Sequence, residues 1–144
     1  MLFWSHETTI TTTATAEQIW ALWSKPQEWN QWDEGNEWVQ LDGLFAAGTK
    51  GYFKPAGGPK VRFILLEVLP KQRFKDRSFL PLTHLDFTHV YTPNSSKIQG
   101  GYITHRVEMR GWLTPIFSRI IGRDIQKSLP ETLARLSRLA EQIA

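Results

Sequence analysis

The chain has 144 residues, 41% hydrophobic and 22% charged, which fits one folded domain over 1–144 and excludes a disordered-tail composition. Its formal charge of +3, from 17 basic and 14 acidic side chains, is too small and too dispersed for a nucleic-acid-binding stripe. There is no cysteine, hence no disulfide framework or thiolate chemistry, and no run approaches the ~18 apolar residues that span a bilayer.

The start, Met1-Leu2-Phe3-Trp4-Ser5-His6-Glu7, lacks the basic and apolar regions of a signal peptide, so a cytoplasmic protein without stable membrane insertion is expected. From Leu2 to Thr12 large side chains alternate (Trp4, His6, Thr8, Ile10) among threonines that favour extended backbone, which predicts a strand. Thr15-Ala16-Glu17-Gln18 then reads as a capping box, and Ala16, Ile19, Trp20 and Trp23 make one apolar helical face. Lys25-Pro26 ends that helix and opens a second short one carrying Trp29 and Trp32.

Six strand signals follow, at Asn36–Asp42, Thr49–Lys54, Val61–Leu69, Gln72–Phe79, Leu82–Tyr91 and Gly101–Arg110. Turn chemistry separates them: Asp42-Gly43, Gly57-Gly58-Pro59, Leu69-Pro70, Leu80-Pro81 and Pro93-Asn94-Ser95-Ser96. Gly48-Thr49-Lys50-Gly51 lies between strands, so its glycines read as turn and bulge positions rather than a phosphate cradle. Connections this short imply antiparallel hairpins.

After Gly111 the period changes to that of a helix. Thr114-Pro115 reads as a cap and first turn, and Phe117, Ile121, Ile125, Leu129, Leu133, Leu136, Ala140 and Ile143 form one stripe. A helix of about thirty residues follows, roughly 45 Å long, with a kink expected at Pro130. Arg119, Arg123, Lys127, Arg135 and Arg138 share its polar face and read as a solvated surface.

The order predicts an α+β fold: a seven-stranded curved antiparallel sheet, two short helices and one long C-terminal helix. One helix cannot tile the concave side of such a sheet, so a cavity is expected between them unless large side chains fill it.

Several stretches carry a resemblance: Ala16-Glu17-Gln18-Ile19-Trp20, Trp29-Asn30-Gln31-Trp32-Asp33, Leu41-Asp42-Gly43 and Gly48-Thr49-Lys50-Gly51. His105-Arg106-Val107-Glu108, Ile121-Gly122-Arg123 and Leu129-Pro130 follow in the expected order. Over nearly its whole length the chain resembles the START-like (SRPBCC) superfamily, in particular the group labelled polyketide cyclase/dehydrase and lipid transport. Thr15 and Trp112 depart from it, each standing where relatives often have proline, and Trp112 bears on the cavity entrance. The resemblance implies a helix-grip fold whose first strand pairs with the last and the last with the sixth. Its members bind sterols, lipids, hormones or polyketides, and only some do chemistry.

Alternation assigns Thr83, Leu85, Phe87, His89 and Tyr91 to the inner face of one strand, and Ile103, His105, Val107 and Met109 to that of the last. With Trp4, His6, Thr8 and Ile10 on the first strand, three of the four histidines face inward; on the pairing that the resemblance implies they lie on neighbouring strands. His89 and His105 are therefore candidates for general acid–base work, against the alternative of packed imidazoles with structural partners. A metal site lacks support, having no short-spaced pair such as His-x-His, and no cofactor is expected.

The candidate ligand-binding set is Trp4, His6, Trp23, Trp29, Phe87, His89, Tyr91, Ile103, His105, Val107, Phe117 and Ile121. Trp20 and Trp32 read as core, with Trp23 and Trp29 at the cavity mouth; Asp33 reads as bonding its following loop, and Arg106 with Glu108 as a surface pair. No nucleophile elbow or phosphate loop is present. The function expected is binding, transport or sequestration of a small hydrophobic ligand, lipid or polyketide-like. The alternatives are a cyclase/dehydrase using the histidines and a membrane-surface protein using the basic helix; oligomeric state is left open.

Overall fold

Alternating inward and outward side chains build a sheet whose strands are β1 (Phe3–Thr12), β2 (Asn36–Leu41), β3 (Lys50–Pro55), β4 (Val61–Leu69), β5 (Arg73–Leu80), β6 (Thr83–Pro93) and β7 (Gly101–Gly111). The computed structural model describes residues 2–95 and 99–144. All pairings are antiparallel, in the order β1-β7-β6-β5-β4-β3-β2, so β2 to β7 meander and β1 returns to close beside β7. Register shifts at Asn36/Trp38 and Leu65/Glu67 add local twist, as an extra residue in one strand does. Ser96 of the expected Pro93-Asn94-Ser95-Ser96 turn lies outside the described residues.

The capping box forms in both directions: Thr15 accepts from the Gln18 amide, and the Gln18 side chain accepts from the Thr15 amide. It starts α1 (Ala16–Trp23), followed by a 3-10 helix at Pro26–Gln31. The long C-terminal helix is three consecutive pieces: α2 (Thr114–Phe117), a π turn at Ser118–Gly122, and α3 (Arg123–Glu141).

One local expectation is corrected. Thr114 is the first helical residue rather than the cap; Leu113 takes the cap position, its amide donating to Thr83 Oγ1 at 3.1 Å. The helix continues through Pro130, and a departure from α bonding falls further back, at the π turn. Leu129, Leu133, Leu136 and Ala140 are buried on both sides of Pro130, so packing holds the segment helical despite one missing bond. At the π turn Gly122 lies against the Trp4 ring, where a Cβ would meet the indole at 3.0 Å.

Two apolar clusters lie between sheet and helices. One joins Ile19, Trp23, Trp29 and Trp32 to Phe63, Leu65, Phe74, Leu133 and Leu136; the other is Leu85, Val107 and Met109 with Trp4, Phe87, Phe117, Ile121 and Ile125 packed against it. Hydrogen bonds tie the C-terminal end to β1, the residue after it and α1: Thr12 Oγ1 to Ser137 Oγ at 2.7 Å, Thr13 Oγ1 to Glu141, and Gln18 Nε2 to the Ile143 carbonyl at 2.7 Å. Gly51 sits inside β3 because a Cβ there would meet the Gln40 carbonyl at 2.3 Å and the Phe63 ring at 2.9 Å. Among the described residues no helix is long and apolar enough to cross a membrane.

Candidate functional site

Strand register lays the inner side chains in rows across the concave face. One row runs Phe74, His89, His105, Thr8; the next Leu65, Asp76, Phe87, Val107, His6; the third Phe63, Ser78, Leu85, Met109, Trp4. Side chains opposite one another on antiparallel strands stand about 4.5–5.5 Å apart at Cβ, so each row is a line of contact.

His89 and His105 meet edge to face with ring centroids 4.5 Å apart, and Phe74 stacks flat on His89 at 3.9 Å. His89 Nδ1 lies 3.3 Å from the Phe74 carbonyl. A carbonyl only accepts, so Nδ1 carries the proton and Nε2 is an acceptor. Trp23 contacts both imidazoles, at 6.0 and 5.9 Å, and Trp32 contacts His105 at 5.9 Å. Burial pushes His89 down to about 3, against the smaller opposing effect of its carbonyl bond. Burial, then the neighbouring His89, holds His105 well below the usual histidine range. Both rings are therefore neutral at pH 7. The Nε2 of His105 and the indole nitrogens of Trp23 and Trp32 are buried without a hydrogen-bond partner.

His6 stands apart from this pair. It lies opposite Val107, half-buried, with its Nε2 3.3 Å from Thr8 Oγ1, and Thr8 is the residue opposite His105. Among the described residues no three histidine, aspartate or glutamate side chains stand together as metal ligands do.

Asp76 is the polar residue that strand periodicity did not bring forward. It is 6% exposed, between Leu65 and Phe87 in its row, and no side chain or backbone group among the described residues hydrogen-bonds its carboxyl. Burial raises its pKa well above the ordinary carboxylate range, and the charge of Asp86 adds to the rise. Ser78, one row on, is also buried with its Oγ unpartnered. The signal was in the sequence: Arg73, Lys75 and Arg77 alternate on the outer face, where Arg77 grips Asp86 at 2.7 and 2.9 Å. Phe74, Asp76 and Ser78 must then face inward.

The other candidates fall into two groups. Ile103 and Val107 are fully buried, and Tyr91 commits its hydroxyl to the Ala14 carbonyl at 2.8 Å. Trp23 and Trp29 are not at a mouth: both are buried in the ring cluster, Trp29 donating to the Trp23 carbonyl at 2.9 Å, while Trp20 is the half-exposed member. Short α1 presents Ile19 and Trp23 to the sheet centre, which turns Trp20 to the rim beside Phe45. These rings fill the cavity expected beneath the N-terminal helices. Under the π turn cover is thinner: Trp4, His6, Phe87, Phe117 and Ile121 stay half-buried. Two further recesses lie at the rim. One of about 460 Å³ runs between Pro26 and the Val39–Phe45 segment, and one of about 360 Å³ is lined by Thr13, Gln18, Gln99 and Glu141.

Asp33 bonds its following loop through the Gly35 amide and Asn36 Nδ2, and Arg106 pairs with Glu108 at 3.4 Å on the outer face.

A seven-stranded sheet gripping a long C-terminal helix, with buried polar groups on the concave face, defines a helix-grip fold. The chain belongs to the family described as polyketide cyclase / dehydrase and lipid transport, whose profile matches residues 4–141. No curated protein sequence matches it. Its fold is similar to that of norcoclaurine synthase from Thalictrum flavum in complex with dopamine and hydroxybenzaldehyde (TM-score 0.73, 17% identity, 99% of this chain and 90% of that one). The di-domain ARO/CYC StfQ from the steffimycin biosynthetic pathway gives TM-score 0.77 at 13% identity, over 98% of this chain and 51% of that one. Ara h 8.0201 gives 0.72 at 10% identity, over 98% and 100%.

Proposed function

We propose that this protein binds a small, mostly apolar molecule of lipid or polyketide type between the concave face of the sheet and the C-terminal helix. A neutral oxygen of that molecule, carbonyl or hydroxyl, meets the Asp76 carboxyl. One observation carries the proposal: a carboxyl 6% exposed on the inner face, without a hydrogen-bond partner among the described residues. A buried polar group left unpaired costs about 1–3 kcal/mol, so a native interior that keeps one gains from a partner that arrives with the ligand. Ser78 Oγ and the Nε2 of His105 extend the same demand to neighbouring rows. Phe87, beside Asp76, is half-buried with Phe117 and Ile121 above the cluster, which supports access from beneath the π turn. With both imidazoles neutral, neither His89 nor His105 supplies a cation for an anionic ligand.

Native mass spectrometry of freshly purified protein tests this. The expected result is a bound neutral organic molecule on the wild-type chain, depleted in Asp76→Leu. A chain that carries nothing, and that ignores a panel of lipids and aromatic ketones, contradicts it.

A cyclase or dehydrase is the second reading, favoured by the unpartnered Nε2 of His105 on a ring packed against Trp23 and Trp32. In it His105 and Asp76 move the proton, because the His105 Nε2 is unpartnered whereas His89 is bonded to the Phe74 carbonyl; burial weakens both imidazoles as bases. His105→Gln then abolishes turnover of a polyketide-like substrate while its binding survives. Equal loss of both, or no effect, counts against this reading.

A further inference from the structure

The end of the sheet where β1 begins, β6 begins and β7 ends carries large apolar side chains that none of the described residues covers. Leu82 is 70% exposed, Trp112 78%, Ile116 54% and Ile120 61%. They gather at one end: the Trp112 amide, in the turn before α2, donates to the Leu82 carbonyl at 3.0 Å, and Ile116 in α2 and Ile120 in the π turn follow four residues apart. The Gly111 amide bonds the Leu2 carbonyl, which brings a fifth exposed apolar residue to the same end.

Leu82 is costly to place there. Its φ of 51° is in the left-handed region, which costs a non-glycine residue roughly 1–2 kcal/mol. A leucine at a turn tip, strained and in water, gains nothing from the fold around it.

Beside this apolar row runs a basic one. Arg119, Arg123 and Lys127 are exposed, again four residues apart, and none has an ion-pair partner among the described residues. The two other basic residues of the helix differ: Arg135 pairs with Glu34 at 2.6 Å and Arg138 with Glu131 at 3.1 Å. The acidic residues near the patch are exposed Asp124, which follows Ile120 in the apolar row, and Glu108, already shared between Arg106 and Arg110.

We propose that this end of the molecule, Leu82, Trp112, Ile116 and Ile120 flanked by Arg119, Arg123 and Lys127, docks reversibly on the surface of an anionic lipid bilayer. The apolar row enters the headgroup boundary and the unpaired cations lie over the lipid phosphates, the pairing that binds amphipathic surfaces to charged membranes. A protein partner would be equally apolar, but the uncompensated basic row favours a surface of dispersed negative charge. The basis is independent of any ligand in the interior.

The test is sedimentation of the full chain with phosphatidylcholine vesicles and with vesicles of phosphatidylcholine mixed with phosphatidylglycerol. The wild type is expected to sediment with the anionic vesicles only, and to be released by added salt. Trp112→Ser with Ile120→Ser, and separately Arg119→Glu with Arg123→Glu, should each weaken binding by about tenfold or more. All four positions are exposed, so thermal melting should be unchanged. Absence of sedimentation with anionic vesicles overturns the proposal, as does equal binding to both vesicle types. A concentration-dependent dimer abolished by Trp112→Ser would instead assign the patch to a second copy of the chain.

Discussion

His89 and His105 face each other across adjacent strands with their rings 4.5 Å apart, edge to face, closed in by Phe74 on one side and Trp23 and Trp32 on the other. Two imidazoles so placed cannot both be charged, and the surrounding rings give neither one a counter-ion. Their neutrality has a measurable consequence for the fold.

Acid stability follows from it. The unfolded histidines titrate near 6.5, whereas folded His89 is pushed down to about 3 and His105 well below its ordinary value. Between those limits the unfolded chain binds more protons, so stability falls as pH falls from about 6.5 towards 3. Each site contributes a slope of up to about 1.4 kcal/mol per pH unit. Urea unfolding of wild type and His89→Gln at several pH values checks this: the wild type should lose stability more steeply below pH 6.5.

Asp76 acts with the opposite sign. Its folded pKa is raised, so the folded state holds its proton after the unfolded chain has released one. Stability on its account is full below about 3.8 and declines as pH rises through the folded pKa. Asp76→Asn should therefore raise the melting temperature at pH 8 and change it little at pH 4. A lower melting temperature at pH 8 would mean that the carboxylate has a stabilising partner.

Trp23 should behave as core. Truncating an indole that is fully buried against Phe74 and both histidines costs about 3–5 kcal/mol. Trp38→Ala, 39% exposed on β2, should cost under about 1 kcal/mol. Paired denaturant titrations compare them directly.

Gly51→Ala tests a close approach rather than a cavity. A Cβ would press the Gln40 carbonyl of the neighbouring strand at 2.3 Å, and backbone held in a sheet cannot yield as a side chain can. The loss should be about 1–3 kcal/mol or more, seen as a lower urea midpoint.

The architecture was legible because two periods carry it. Period-two alternation fixed the inner faces of β6 and β7 down to Phe87, His89, Ile103 and His105, and the helical stripe placed Leu129, Leu133 and Leu136 under the C-terminal helix. The site was less legible, for reasons of volume and register. Whether large rings fill the space under α1 depends on three-dimensional packing, so Trp23 and Trp29 read as mouth residues when they are core. Register decided that Thr8, not His6, stands opposite His105. Asp76 sat in a strand dominated by Arg73, Lys75 and Arg77, and a carboxylate among cations reads as surface until the alternation is followed through. The uncovered apolar row is a property of the assembled surface, although Trp112 had already marked itself as unusual.

The most direct test of the interior site is calorimetric titration with a matched pair of probes, a small aromatic ketone and its deoxygenated hydrocarbon. The account predicts that the ketone binds wild type more tightly, by about tenfold for one buried hydrogen bond, and that Asp76→Leu erases the difference while still binding both. Equal affinity of the two probes for wild type, or a ketone preference that survives Asp76→Leu, would contradict it.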